Sequence, residues 1–241
     1  MTLLAHNLPA AQDFYGTLFG WRFETGLQRV GPYTQDLRAQ ADGQDLAGIG
    51  ELPPDSRQHP VWTPYFIVRD ADVAAANVRS TGGTVAVGPL DLTTRGRMAL
   101  CSDPTGAVFG IWQPREHLGW SRRPLPGTPV WNELWVPEPS MVSRFYEWIF
   151  GCTMDKQADG SLTLLAGGQA VAAIRPLPPS LATQTPPHWS THFAVKDAAE
   201  TVALLGSLGG RLLRGPYDVP GGVRAEVADP EGAEFTLVSD G

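Results

Sequence analysis

Apolar and polar positions along this chain alternate between two periods, and the switches between them mark its elements. From Pro9 to Phe19 the residues Phe14, Leu18 and Phe19 fall on one face of a helix, with Pro in the first turn and Gly20 as the stop. Before it, Leu3 to Ala5 reads as a short strand. After it, period-two runs predict strands at Trp21–Thr25, Tyr33–Ala39 and Leu46–Glu51. A Pro-rich connection, residues 52–60, ends this series. A second series has the same order: a strand from Val61 to Val68, a helix from Asp70 to Thr81 and a Gly82-Gly83 stop. Its strands fall at Thr84–Val87, Met98–Cys101 and Ala107–Trp112, and Asp70 is suited to cap its helix.

The last strand of this series is fed by Asp103-Pro104-Thr105-Gly106. Here Asp can bond its own backbone, Pro fixes φ and Gly closes the turn. The same device returns as Asp229-Pro230-Glu231-Gly232, and much else returns with it. Phe14-Tyr15 and Phe19-Gly20 recur as Phe145-Tyr146 and Phe150-Gly151. Trp62, Phe66, Val68 and Asp70 recur as Trp189, Phe193, Val195 and Asp197. Gly82-Gly83 recurs as Gly209-Gly210 and Gly88-Pro89 as Gly215-Pro216, with the order never broken. The reading is a duplication in which each half divides again into two strand–helix–three-strand units. The expected fold is α+β, with four βαβββ modules in two tandem domains, 1–114 and 130–241, joined by a linker at 115–129. A module sheet has its helix on one face, and two modules can set their free faces together into a cup.

Composition narrows the partners. Net charge is −7, and the Arg115…Arg122-Arg123 run is too short for a basic stripe, so nucleic acid is not expected. No apolar run reaches the ~20 residues of a membrane span, and the N-terminal residues carry no charged leader. The expectation is a cytoplasmic protein that is a monomer or homodimer and contacts no membrane. Two cysteines, Cys101 and Cys152, have no metal-ligand spacing and read as small apolar residues.

The Phe-Tyr…Phe-Gly, Gly-Gly and Asp-Pro-x-Gly motifs, in this order, resemble the vicinal oxygen chelate superfamily, which includes glyoxalase I, bleomycin-resistance proteins and extradiol dioxygenases. Within it, the Trp131-Asn132-Glu133-Leu134 opening, the Gly96 to Ala99 strand and Asp103 to Pro114 are similar to the tandem, two-domain glyoxalase-like proteins of actinobacteria and related bacteria. The resemblance implies two glyoxalase-like domains with cupped mixed sheets. It does not imply one reaction, because this fold hosts lyases, isomerases, dioxygenases and binders.

Enzymes of that superfamily place His or Glu on the cup face, where these residues hold a divalent metal that acts as a Lewis acid. Carried onto this chain, the positions fall at Trp131, Ser190 and Thr236 in the second half and at Thr63 and Gly110 in the first. The remaining strand segments, Leu46 to Ile49 and Val171 to Ile174, offer no ligand. No metal ligands are therefore expected in either half.

Alternation places Thr63, Tyr65, Val108, Gly110 and Trp112 on the cup face of the first half. The second half contributes Trp131, Glu133, Trp135, Ser190, His192, Glu234 and Thr236. Leu134, Phe193, Phe235 and Leu237 should pack on the helices, and Trp62 and Trp189, of opposite parity, are structural. Two strands of the fourth module are expected antiparallel, with Ser190 near Thr236 and His192 opposite Glu234. Glu133 approaches from the third module. Such a carboxylate–imidazole group could transfer protons, but a plain cross-strand polar pair is the favoured alternative. A His/Glu/Glu metal site on the same residues is less favoured again, and zinc, nickel, manganese or iron is its candidate cofactor. The rings of Trp112, Trp131, Trp135 and Tyr65 resemble the wall of a small-molecule pocket, to which Ser190 and Thr236 add polar groups. The first expectation is a metal-independent binder of a small organic molecule. The alternative is a lyase, isomerase or dioxygenase-type enzyme built on His192 with Glu234 or Glu133.

Overall fold

The computed structural model describes residues 1–25, 36–41, 43–53, 55–92, 94–116 and 125–240. Tyr33, His117 and the Arg122-Arg123 pair lie outside the described residues. The first module comprises β1 (Thr2–Ala5), α1 (Leu8–Phe19), β2 (Arg22–Thr25), β3 (Asp36–Ala41) and β4 (Gln44–Glu51). The second comprises β5 (Val61–Thr63), β6 (Tyr65–Ile67), α2 (Ala71–Ser80), β7 (Thr84–Leu92), β8 (Gly96–Ser102) and β9 (Val108–Pro114). The strand expected unbroken from Val61 to Val68 is thus split at Pro64, which has no N–H for a ladder. The third module has β10 (Pro129–Val136), a 3-10 turn (Pro139–Met141), α3 (Ser143–Phe150), β11 (Thr153–Lys156), β12 (Leu162–Ala166) and β13 (Gln169–Pro176). The fourth has β14 (His188–Ala194), α4 (Ala198–Ser207), β15 (Arg211–Val219), β16 (Gly222–Ala228) and β17 (Glu234–Ser239). No helix among the described residues is long and apolar enough to cross a membrane.

Local chemistry explains the helix ends. The side chain of Asn7 accepts from the Ala10 N–H and caps α1, while Gly20, at φ 70°, takes the left-handed conformation that closes it. Asp70 and Asp197 cap α2 and α4, and Gly151, at φ 61°, ends α3.

In every module the first strand runs parallel to the last and the other strands form an antiparallel meander. Leu3 pairs with Ile49, Phe66 with Ile111, Leu134 with Ile174 and Phe193 with Leu237. Within the modules the strand orders are β2-β3-β4-β1, with β5 next to β1, then β6-β9-β8-β7, β11-β12-β13-β10 and β14-β17-β16-β15. The parallel pairing follows from counting passes: the helix returns the chain once, the next two strands reverse it twice more, and the fourth strand ends up aligned with the first.

Packing gathers the modules into two compact units. One combines Met1–Trp62 and the stretch up to Val130 with everything from Thr191 on, so it holds the first and fourth modules. The other combines the stretch from Thr63 with Trp131–Ser190, the second and third modules. The first unit's core joins Phe14, Tyr15, Phe19 and Trp21 to Trp62, Phe193, Phe235 and Leu237. Its rings interlock, with Phe19 stacked on Phe193 at 4.9 Å and Phe193 edge-on to Phe235 at 5.6 Å. The second unit's core joins Phe109 and Ile111 to Leu134, Val136, Phe145, Tyr146 and Trp189, with Phe66 stacked on Phe150 at 4.5 Å. Each such buried ring contributes about 2–3 kcal/mol by removal from water. The expected helix-facing residues Leu134, Phe193, Phe235 and Leu237 all lie in these cores.

One polar bolt crosses each core. The Asp103 carboxylate takes the backbone N–H groups of Thr105 and Ala107 on Oδ1, which closes its turn, and the Tyr146 hydroxyl on Oδ2 at 2.9 Å. Trp189 donates its indole N–H to that hydroxyl at 3.1 Å. In the other unit Asp229 holds Glu231 and Ala233 in the same way, accepts from Tyr15 at 2.9 Å, and Trp62 donates to Tyr15 at 3.1 Å. Trp62 and Trp189 are structural, as their parity implies.

Candidate functional site

On β10, Leu134 and Val136 enter the core, so Trp131, Glu133 and Trp135 occupy the opposite face. Both tryptophans are half-buried, whereas Glu133 is only 1% exposed. A buried carboxylate needs a compensating charge, and Arg175 supplies it, with Nε 2.9 Å from Glu133 Oε1. Parallel pairing of β10 with β13 sets Arg175 across from Trp135. Arg175 also reaches Asp159 at 3.4 Å. Sequence reasoning missed Arg175, because parity on β13 carries meaning only once its parallel partner is known.

The expectation that His192 faces Glu234 is overturned. β14 and β17 run parallel, and the residue in register with His192 is Thr236. Glu234 lies two positions earlier on β17 and is exposed, while His192 and Thr236 are 2% and 4% exposed. The register continues outward across the sheet: Thr236 pairs with Glu226 on β16, and Glu226 with Arg214 on β15. Glu226 Oε1 accepts from the Tyr217 hydroxyl at 2.9 Å and lies 3.5 Å from Arg214 Nη1, and Arg214 stacks 4.7 Å above the Tyr217 ring. Partial burial, then the bond to Glu226, raises the Tyr217 hydroxyl above its ordinary value. Glu226, Tyr217 and Arg214 are thus the neighbours of His192 and Thr236 on this face. A parallel register could have predicted Glu226. Glu133 belongs to the other compact unit, as do Trp131, Trp135 and Ser190.

In the second module Tyr65 pairs with Gly110 and Ile67 with Trp112. The Tyr65 ring lies over Gly110, in the space a Cβ at that position would need, and Trp112 covers Gly96 in the same way. Tyr65 and Trp112 are half-buried. They and the pair Trp131 and Trp135 stand on two different sheets of the unit, each on the face away from its core.

The residues at the superfamily's ligand positions do not fit a divalent metal. In the first half Thr63 is buried and Gly110 is covered by a ring. In the second the positions carry an indole and two hydroxyls, Trp131, Ser190 and Thr236, not the imidazole and carboxylate donors such a centre uses. Among the described residues no three His, Cys, Asp or Glu side chains are grouped to hold a metal ion.

Arg97 binds Asp72 at 2.9 Å and Asp91 at 3.2 Å in a surface ion network. His6 and His59 are exposed and His188 is half-buried. Burial pushes the Cys101 thiol up to about 12 and the Cys152 thiol up to about 11, so both are inert at neutral pH. Two surface depressions, of about 380 and 470 Å³, flank the start of α4 and the loops around α3, and none of the candidate residues lines either.

Comparison with known proteins gives this arrangement a family. Residues 132–238 match the family model described as a glyoxalase-like domain. The chain is 34% identical over 235 residues to a Mycobacterium tuberculosis protein provisionally named glyoxylase CFP32, covering 95% of this chain and 89% of the relative. It is 32% identical over 252 residues to the anthracycline biosynthesis protein DnrV of Streptomyces peucetius, covering 96% and 89%. Among solved structures, the 2,3-dioxygenase LapB of Pseudomonas sp. KL28 superposes with a TM-score of 0.67 at 14% identity, covering 100% of this chain and 90% of that one. The Mn(II)-bound glyoxalase of Novosphingobium aromaticivorans gives 0.64 at 16% identity, covering 99% and 80%. On fold, motifs and relatives together, this chain belongs to the vicinal oxygen chelate superfamily, as a glyoxalase-like protein.

Proposed function

We propose that this protein binds a small, planar organic molecule on the sheet faces opposite its helices, without the metal centre of its enzymatic relatives. The observation that carries the reading is Gly110: where a metalloenzyme of this fold would present a ligand, a ring rests on bare backbone. The half-buried rings of Tyr65, Trp112, Trp131 and Trp135 offer the flat apolar area such a ligand needs. Two relatives named for anthracycline biosynthesis, DauV and DnrV, support a planar aromatic ligand.

The test is fluorescence titration of the eight tryptophans with anthraquinone and 1,8-dihydroxyanthraquinone, alongside thermal melts with Ni²⁺, Zn²⁺, Mn²⁺ or Fe²⁺. Saturable quenching at micromolar ligand, with melts unmoved by metal, is the expected result. A rise of several degrees with one metal overturns the metal-independent reading, and absence of quenching overturns the binding reading.

A second reading, an enzyme of the lyase, isomerase or dioxygenase type, draws on His192, a buried imidazole in a row with Thr236 and Glu226. Turnover of a bound compound that is lost in His192→Ala while binding persists would favour it.

A further inference from the structure

The outward side of α3 carries large apolar surface that its own module does not bury. Val142, Phe145, Tyr146 and Ile149 are buried at i, i+3, i+4 and i+7. That fixes the helix phase and turns Met141, Arg144 and Trp148 together toward solvent. Met141 is 62% exposed and Trp148 68%, more than any other large apolar side chain among the described residues.

The duplication provides an internal comparison. Phe145-Tyr146 corresponds to Phe14-Tyr15, so Met141, Arg144 and Trp148 stand where α1 carries Ala10, Asp13 and Thr17, all exposed. The same helix position in the same kind of module is thus filled without any large apolar group. Neither helix formation nor core packing calls for an indole at 148, and leaving one in water forgoes about 2–3 kcal/mol of burial. Exposed apolar side chains set side by side mark an association surface.

The stripe is complementary to itself. When two copies of α3 pack antiparallel about a two-fold axis near Phe145, Met141 of one copy falls opposite Trp148 of the other, twice per dimer. The thioether then lies against the indole, a favourable contact. In an antiparallel pair like flanks face each other, which brings Arg144 of one copy beside Glu147 of the other. Neither makes an ion pair among the described residues, so both are available for this one. The paired charges cancel, which matters for association of a chain of net charge −7.

We propose that the outward side of α3 is a self-association surface, through which two copies of the protein form a symmetric dimer on Met141, Arg144, Glu147 and Trp148. The stripe is small beside the ~800 Å² per partner of a standard interface, so the dimer is weak, with a Kd of roughly 10–100 μM.

The experiment is sedimentation velocity on the full chain from about 1 to 300 μM, a range that spans such a Kd. The unmodified protein should pass from monomer to dimer across it. Trp148→Ala should raise the Kd about tenfold or more. Arg144→Glu should raise it about fivefold, and adding Glu147→Arg should bring it back to within about twofold of the unmodified value. The substituted side chains all lie outside the core, and circular dichroism at the lowest concentration confirms that each variant is folded. A monomer at every concentration overturns the proposal and leaves the stripe to a partner of another sequence. A dimer unchanged in Trp148→Ala, or one that the charge reversal does not restore, overturns it as well.

Discussion

Tyr15 donates its hydroxyl to Asp229 at 2.9 Å, a bond between residues 214 positions apart in the chain. Its counterpart, Tyr146 to Asp103, does the same in the second unit. In each pair the Asp that closes a turn in one module anchors the helix tyrosine of another. Tyr15→Phe and Tyr146→Phe should each cost about 1–3 kcal/mol, because a buried carboxylate oxygen loses its donor. Urea denaturation followed by circular dichroism measures the loss. A midpoint unchanged in both variants would show that the bolts carry no stability.

The same tyrosines set an alkaline limit. Burial first, and the neighbouring carboxylate second, hold both hydroxyls well above the ordinary phenol range. A folded-state value above the unfolded one means that the native protein retains protons the unfolded chain releases. Their contribution is therefore complete below about pH 10, the unfolded value, and is lost as pH rises toward the folded values. Asp229 follows the same sign at the acid end: burial outweighs its backbone N–H donors and raises its carboxyl, so its contribution is present below about pH 4 and lost as pH rises above it. Stability should therefore fall steeply above pH 10, and less steeply in Tyr15→Phe. Tyrosinate absorbance that developed fully before loss of the circular dichroism signal would contradict this.

Gly110→Ala should destabilise by about 1–3 kcal/mol, since the added methyl runs into the Tyr65 ring. Combining it with Tyr65→Ala should make the glycine substitution nearly neutral, which a double-mutant cycle reads directly. An additive pair would show that the ring does not occupy that space.

Arg175→Met removes the guanidinium beside a carboxylate that is 1% exposed. A loss of about 2–4 kcal/mol is expected, toward the lower end because Arg175 itself is partly solvated. Glu133→Gln in the same background should restore part of it, by chemical denaturation. A double variant no more stable than Arg175→Met alone would mean that the charge on Glu133 is balanced elsewhere.

Much of this was legible in the residues themselves. Caps and stops such as Asp70, Asp197, Gly20 and Gly151 act locally, so their meaning is written where they stand. Parity along one strand was equally readable: Phe193 inward and His192 outward needs only the pleat. What did not follow was the relation between strands. Facing His192 with Glu234 assumed an antiparallel pair, and the helix pass between β14 and β17 makes it parallel. That error hid Glu226, whose place beside Thr236 depends on two registers in succession. Arg175 was missed for the same reason. Which modules share a core is a matter of packing, and nothing in a motif encodes it.

The grouping of first with fourth module and second with third has a consequence for inheritance. Each half of the duplication supplies one layer to each of the two cores, so neither half retains a complete interior when separated from the other. A substitution at Tyr15 is judged by Asp229, and one at Tyr146 by Asp103. Both pairs tie the two copies to each other, so although the copies can diverge in the chemistry on their outward faces, they remain bound to a common history in their cores.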